Sequence, residues 1–128
     1  MYRIKVEEVA GVGDVTTIPV ASTATVYTKS FPMEGAEYFD MAVLGAGTTL
    51  DIKIEFEQSH IEPVTEGAVD TYWSESIADI EANHSAKTYV HYGLAPKVAK
   101  FGRFKLTGQG SNSADATLQI WVSKQCQF

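Results

Sequence analysis

The chain has 128 residues, a formal net charge of −6, 45% hydrophobic and 20% charged residues, and one cysteine. That is one domain's worth of sequence, long enough to bury a core without metal or disulfide staples, and its composition excludes disorder. Cys126 cannot form an internal disulfide, no apolar run reaches the roughly 20 residues that span a bilayer, and an acidic chain is a poor ligand for phosphate backbones.

The first stretch, "MYRIKVEEVAG", alternates polar and apolar residues and lacks the apolar run of a secretion signal. Its spacing predicts a strand with Tyr2, Ile4 and Val6 on one face, in a protein that does not leave the cell by standard secretion. Residues 9–21, "VAGVGDVTTIPVA", are irregular yet apolar and rich in β-branched residues. Such a segment either lies over the end of the body or reaches a neighbouring chain, so Val12, Val15 and Ile18 are candidate interface residues.

A further strand, "ATVYTKS", precedes "EYFDMAVL", where Phe39, Met41 and Val43 oppose Tyr38, Asp40 and Ala42. "LDIKIEFEQ" places Leu50, Ile52, Ile54 and Phe56 opposite Asp51, Lys53, Glu55 and Glu57, a pattern that only an extended strand divides into a dry side and a wet side. "HIEPVTEGAVDT", 60–71, reads as a long loop leading to the aromatic pair Tyr72 and Trp73. "SESIADIEAN", 74–83, fits a short helix capped by Ser74, and its alternation fits a strand equally. "KTYVHYG", "AKFGRFKL" and "ATLQIWVSK" complete seven or eight strands. They are punctuated by "GVGD", "PMEG", "GAG", "GLAP" and "GQGSNS". The expected architecture is a single all-β domain over 1–128, an antiparallel β-sandwich of jelly-roll type with at most one short helix. Residues 9–21 and the C-terminal 124–128, ending in Phe128, are expected to be extended segments.

In the last strand, Leu118, Ile120 and Val122 alternate toward one side, which sends Trp121 to the other. A ring on the face the core does not use is covered either by the chain's own long segment or by another polypeptide. Trp121, Tyr72 and Trp73 therefore join Val12, Val15, Ile18 and Phe128 as candidate interface residues.

No enzyme signature emerges, so the chain is expected to be a non-enzyme without cofactor or metal. His60, His84, His91 and one cysteine lack the paired spacing of structural zinc. Asp51, Glu55 and Glu57 share one strand face as solubilising residues do, and Glu75 beside Tyr72 and Trp73 is the one carboxylate in aromatic company. Asp14 and the 62–70 loop lack the ordered carboxylates of a calcium loop. "GAG" at 45 opens no helix, so it is a hairpin turn and not a phosphate cradle. Charge is uneven along the chain. Residues 1–81 hold fifteen acids and four bases (−11), and residues 82–128 hold one acid and six bases (+5). Either interleaved strands cancel this locally, or opposite faces invite head-to-tail contact between copies.

Two resemblances follow from particular stretches. "YFDMAVLGAGTTLDIKIEFEQS", a tryptophan-bearing loop, and then "APKVAKFGRFKLTGQGSNSADATLQIWVSK" resemble the small β-sandwich virion proteins of tailed bacteriophages over about residues 36–124. The resemblance implies a capsid decoration, cement or other virion accessory subunit that adheres to the major capsid or other virion proteins. It also implies homo-oligomers located in the virion, with no direct contact to nucleic acid or membrane. "GRFKLTG" is also similar to the penultimate strand of discoidin-like carbohydrate-binding domains, which implies a sugar platform built on Trp73, Tyr72 or Trp121. That family's signal peptide and end-joining disulfide have no counterpart here.

Overall fold

The computed structural model describes residues 2–34, 36, 38–63, 65–68, 72–75, 81–94 and 99–127. In chain order the strands are β1 (Tyr2–Val9), β2 (Ile18–Pro19), β3 (Thr25–Tyr27), β4 (Phe31–Pro32), β5 (Tyr38–Ala46), β6 (Ile52–Ser59), β7 (Ser74–Glu75), β8 (Glu81–His84), β9 (Val90–Leu94), β10 (Phe101–Gly108) and β11 (Thr117–Gln127). Among the described residues there is no helix, and every strand pair is antiparallel.

Eleven segments make eight strand positions, because three positions are interrupted. β1 and β2 pair with successive lengths of the same side of β11, β3 and β4 do so along β10, and β7 and β8 along β6. The first sheet runs β1/β2–β11–β5–β9 and the second β3/β4–β10–β6–β7/β8. From one strand position to the next the chain crosses between sheets at every step except β6 to β7, and this is the strand order of a jelly roll. The molecule is thus an all-β antiparallel sandwich. β7 and β8 take up both ends of the 74–83 stretch as strand, and residues 76–80 lie outside the described residues.

The period-two pattern explains the core. Phe39, Met41 and Val43 of β5 and Leu118, Ile120 and Val122 of β11 face Ile52, Ile54 and Phe56 of β6 and Phe104 and Leu106 of β10. Each such side chain stabilises the fold by about 1.5–3 kcal/mol on leaving water. At one end Phe31, Phe39, Phe56 and Phe104 pack ring to ring, with centroids 5.1–6.3 Å apart. Glycine is required at 102, where a Cβ would come within 2.7 Å of the Phe56 ring.

β1 departs from its sequence pattern. Val9 is in the core, but Ile4 and Val6 are 69% and 61% exposed. Register explains the inversion: Lys5 pairs with Lys124 and Glu7 with Val122, so Lys5 and Glu7 share the inner face of the sheet with the side chains of β11 that point to the core. Lys124 is fully buried there, and its ammonium donates to Glu7 Oε1 (3.0 Å) and the Pro32 carbonyl (2.6 Å). A buried ammonium without a carboxylate would cost several kcal/mol, and Glu7 can meet it only if Ile4 and Val6 turn outward.

The two segments expected to be extended belong to the body. Residues 9–21 hold the end of β1, the whole of β2 and a bridge from Gly11 to Thr28. Residues 124–127 continue β11 against β1, and Phe128 lies outside the described residues. The uneven charge is also resolved by pairing. Basic β10 lies beside acidic β6, with Lys105 opposite Glu55 and Arg103 opposite Glu57, so the two portions cancel within one sheet.

Candidate interaction surface

Directly opposed residues of an antiparallel pair share a face, so the registers of β1, β11, β5 and β9 define the outer surface of the first sheet. One row runs Ile4, Gln125, Tyr38; the next Val6, Ser123, Asp40, Gly93; the next Glu8, Trp121, Ala42, His91; then Gln119 pairs with Leu44, and a further row runs Pro19, Thr117, Ala46. Tyr38 is 63% exposed and Tyr89, just before β9, is 54% exposed.

Trp121 is half-buried at the centre of this surface. The Tyr89 ring meets it edge to face, with centroids 5.7 Å apart, and meets the His91 ring in the same way at 4.8 Å. His91 Nδ1 lies 2.8 Å from Asp40 Oδ2. Trp121, Tyr89, His91 and Asp40 therefore form one contiguous cluster across three strands, bordered by the outward Ile4 and Val6. Part of the tryptophan is covered by the chain's own Tyr89, and the rest is open.

The other outer face is covered in part. Ala68 and Trp73 lie over Arg103 of the second sheet, and nearby Glu66 accepts hydrogen bonds from the Ser30 amide (2.8 Å) and hydroxyl (2.7 Å). Beneath them Arg103 is 1% exposed, with its guanidinium carbon 4.2 Å from the Tyr27 ring centroid and 4.4 Å from that of Trp73. Its Nε donates to Glu57 Oε1 (2.8 Å) and an Nη to the Ala68 carbonyl (2.7 Å). Stacked rings and a carboxylate together satisfy a charge that could not otherwise leave water.

The candidate interface residues consequently divide. Trp121 and Tyr72 reach the surface, Tyr72 being 61% exposed. Trp73 is buried in the Arg103 stack and Ile18 in the core. Val12 and Val15 are exposed and line an apolar cleft of about 430 Å³ together with Pro19, Val26 and Tyr27. The structure brings Val12, Val15 and Ile18 together on this cleft, where Ile18 pairs with Leu118, three residues before Trp121 on β11.

Tyr89, His91, Asp40, Ile4 and Val6 were not singled out by sequence as surface contacts. "TYVHY" carried a usable signal, since Tyr89 and His91 alternate with Val90 and with Tyr92, which packs on the core. Ile4 and Val6 carried a misleading one.

The remaining titratable groups serve structure. His84 is buried, its Nδ1 lies 2.9 Å from the Tyr92 hydroxyl, and burial pushes its pKa below the ordinary imidazole value, with the Ala86 backbone opposing. Asp115 accepts from Ser113 Oγ, the Thr48 amide and Thr48 Oγ1, which hold its carboxyl well below the usual range. The Glu75 side chain lies outside the described residues, and among those described no group of three or more His, Cys, Asp or Glu residues could hold a metal ion. Among the described residues no helix is long and apolar enough to cross a membrane.

Fold and surface together define a jelly-roll β-sandwich with one outer face covered around Arg103 by Ala68 and Trp73 and the other bearing exposed aromatic and aliphatic residues. No protein-family model and no curated protein matches the sequence. Among solved structures, the chain is similar to the Yersinia pseudotuberculosis-derived mitogen, at 12% identity and a TM-score of 0.41, over 97% of this chain and 86% of that one.

Proposed function

We propose that the chain is a virion structural protein of a tailed bacteriophage, an accessory or decoration subunit that binds other virion subunits by passive adhesion. The observation that carries this reading is the first sheet's outer face, where Ile4 and Val6 stand in water, Val6 diagonal to Trp121, with exposed Tyr38 across Gln125. A contiguous exposed apolar patch on a small domain is a binding surface or a liability. Aromatic anchors with aliphatic neighbours are what protein interfaces bury at their centres. Many weak copies on a particle would bind jointly, so modest affinity per subunit suffices. The partners are further copies of the chain and the major capsid or other virion proteins, and the chain works in the virion without enzymatic chemistry.

A carbohydrate-binding module is the second reading, favoured by the placement of Trp121 and Tyr89 beside His91 and Asp40. Rings flanked by hydrogen-bonding groups suit a sugar's apolar face and hydroxyl rim. Mass spectrometry of density-purified phage particles from the chain's own source, run alongside a glycan array, separates the two. The virion reading expects the polypeptide in stoichiometric amounts in particles and no glycan bound. Its absence from particles, with a Trp121-dependent glycan signal, would overturn it in favour of the module.

A further inference from the structure

Natural sheets shield their free edges, and among the described residues both edges of the second sheet follow that rule. The edges of the second sheet are broken, one into β3 and β4 of three and two residues, the other into β7 and β8 of two and four. β9, the far edge of the first sheet, has five residues. The longest unbroken edge segment among the described residues is β1: eight residues, paired with β11 on one side and with no described strand on the other, before the edge passes to the two-residue β2. Such an edge is a template for another strand.

We infer that two copies of this chain join through β1, edge to edge and antiparallel, about a two-fold axis perpendicular to the sheet that passes beside Lys5. The joined first sheets form one continuous sheet of eight strand positions, four from each copy. This deepens the adhesive reading by naming the self-association surface, although the pairing rests on β1's own geometry.

Charge order in β1 selects the occupant. The strand is basic at its start, with Arg3 and Lys5, and acidic at its end, with Glu7 and Glu8. A strand guarded against pairing carries charge of one sign, whereas this order is complementary to its own reverse. A two-fold axis perpendicular to the sheet keeps faces matched, so only residues of equal parity can oppose one another. Centred on Lys5, the register sets Arg3 opposite the second copy's Glu7, and Ile4 opposite its Val6. Both pairs occur twice. The outward Ile4 and Val6, exposed in the single chain, then form a four-residue apolar row. The two Lys5 ammonium groups meet at the axis, each already hydrogen-bonded to its own Glu34 at 2.8 Å. The two adjacent registers are worse. Centred on Ile4, the pairing sets Arg3 against Lys5, like charges twice over; centred on Val6, it pairs Lys5 with Glu7 but sets Ile4 against Glu8 twice and breaks the apolar row.

Disulfide trapping tests the pairing. Opposed residues of an antiparallel pair have Cα atoms about 4.5–5.5 Å apart, within the span of about 4.4–6.8 Å that a disulfide bridges. In a Cys126→Ser background, Lys5→Cys is expected to form a covalent dimer under mild oxidation at micromolar concentration, while Val6→Cys stays at least tenfold slower. The double variant Ile4→Lys/Val6→Lys, altering only exposed side chains, is expected to keep its thermal melting profile and sediment as a monomer. Equal trapping at both positions, trapping at neither, or a dimer that survives the double variant would overturn the pairing. A chain found in virions yet monomeric alone would overturn the pairing and leave the virion role standing.

Discussion

A guanidinium carries five donors and keeps its charge at any accessible pH, so burying Arg103 obliges the fold to surround it. Tyr27, Trp73, Glu57 and the Ala68 carbonyl do so, each from a different part of the chain. Arg103→Ala should cost about 3–5 kcal/mol, since it strands Glu57 and opens a void under Ala68 and Trp73. Arg103→Lys should cost less but still destabilise, because an ammonium cannot fill the space between two rings. Urea midpoints of the two variants against wild type measure both. Two further groups give stability a pH dependence of the same sign. His84 has its folded pKa lowered from 6.5, so below about that pH the unfolded chain takes a proton that the buried ring refuses, and stability falls as pH falls. Asp115 is lowered from 3.8, so its contribution is present above that value and is lost in stronger acid. Denaturation between about pH 7.5 and about pH 5.5 should show the first effect in wild type and a flatter profile in His84→Phe. Asp115→Asn should flatten only the acid limb below about pH 4.

Among the elements, β5, β6, β10 and β11 were legible in the sequence because their inner residues meet one another across a dry interface, where a period of two has no competitor. β1 was not, because which face turns inward was decided by a distant ammonium: Lys124 required Glu7, and alternation then sent Ile4 and Val6 outward. Nothing in "YRIKVEE" contains Lys124. The 74–83 stretch carried both periods, and its ends became strand where β6 had a free edge to pair. Trp121 was correctly placed on the face away from the core, and its neighbours Tyr89 and His91 were passed over although they alternate as cleanly. Trp73 could not be told from an exposed ring, since its burial depends on Arg103, far along the chain. Backbone closeness was equally invisible. Gly102 lies where the Phe56 ring passes, so Gly102→Ala forces that ring or β10 to shift and should cost about 1–3 kcal/mol. A thermal melt checks this, with the unfolding cooperativity retained.

For the whole molecule, the decisive asymmetry lies between the two outer faces. One is covered around Arg103 by Ala68 and Trp73; the other leaves Trp121, Tyr38, Ile4 and Val6 in contact with water. β1 lies along the border of the open face. Trp121→Ala should leave folding nearly unchanged, because the ring is outside the core, and, if the proposed virion role holds, should weaken docking onto coat subunits at least tenfold. Surface plasmon resonance on isolated coat assemblies reads that loss, while the β1-mediated dimer should persist in the same variant. The most direct measurement is light-scattering molar mass of the wild-type chain and of Ile4→Lys/Val6→Lys, side by side at micromolar concentration. Twice the single-chain mass or a higher multiple for wild type, falling to the single-chain mass in the variant, is the expected result. A wild-type chain at its single-chain mass would contradict the claim that this open face and edge are satisfied by copies of the chain itself.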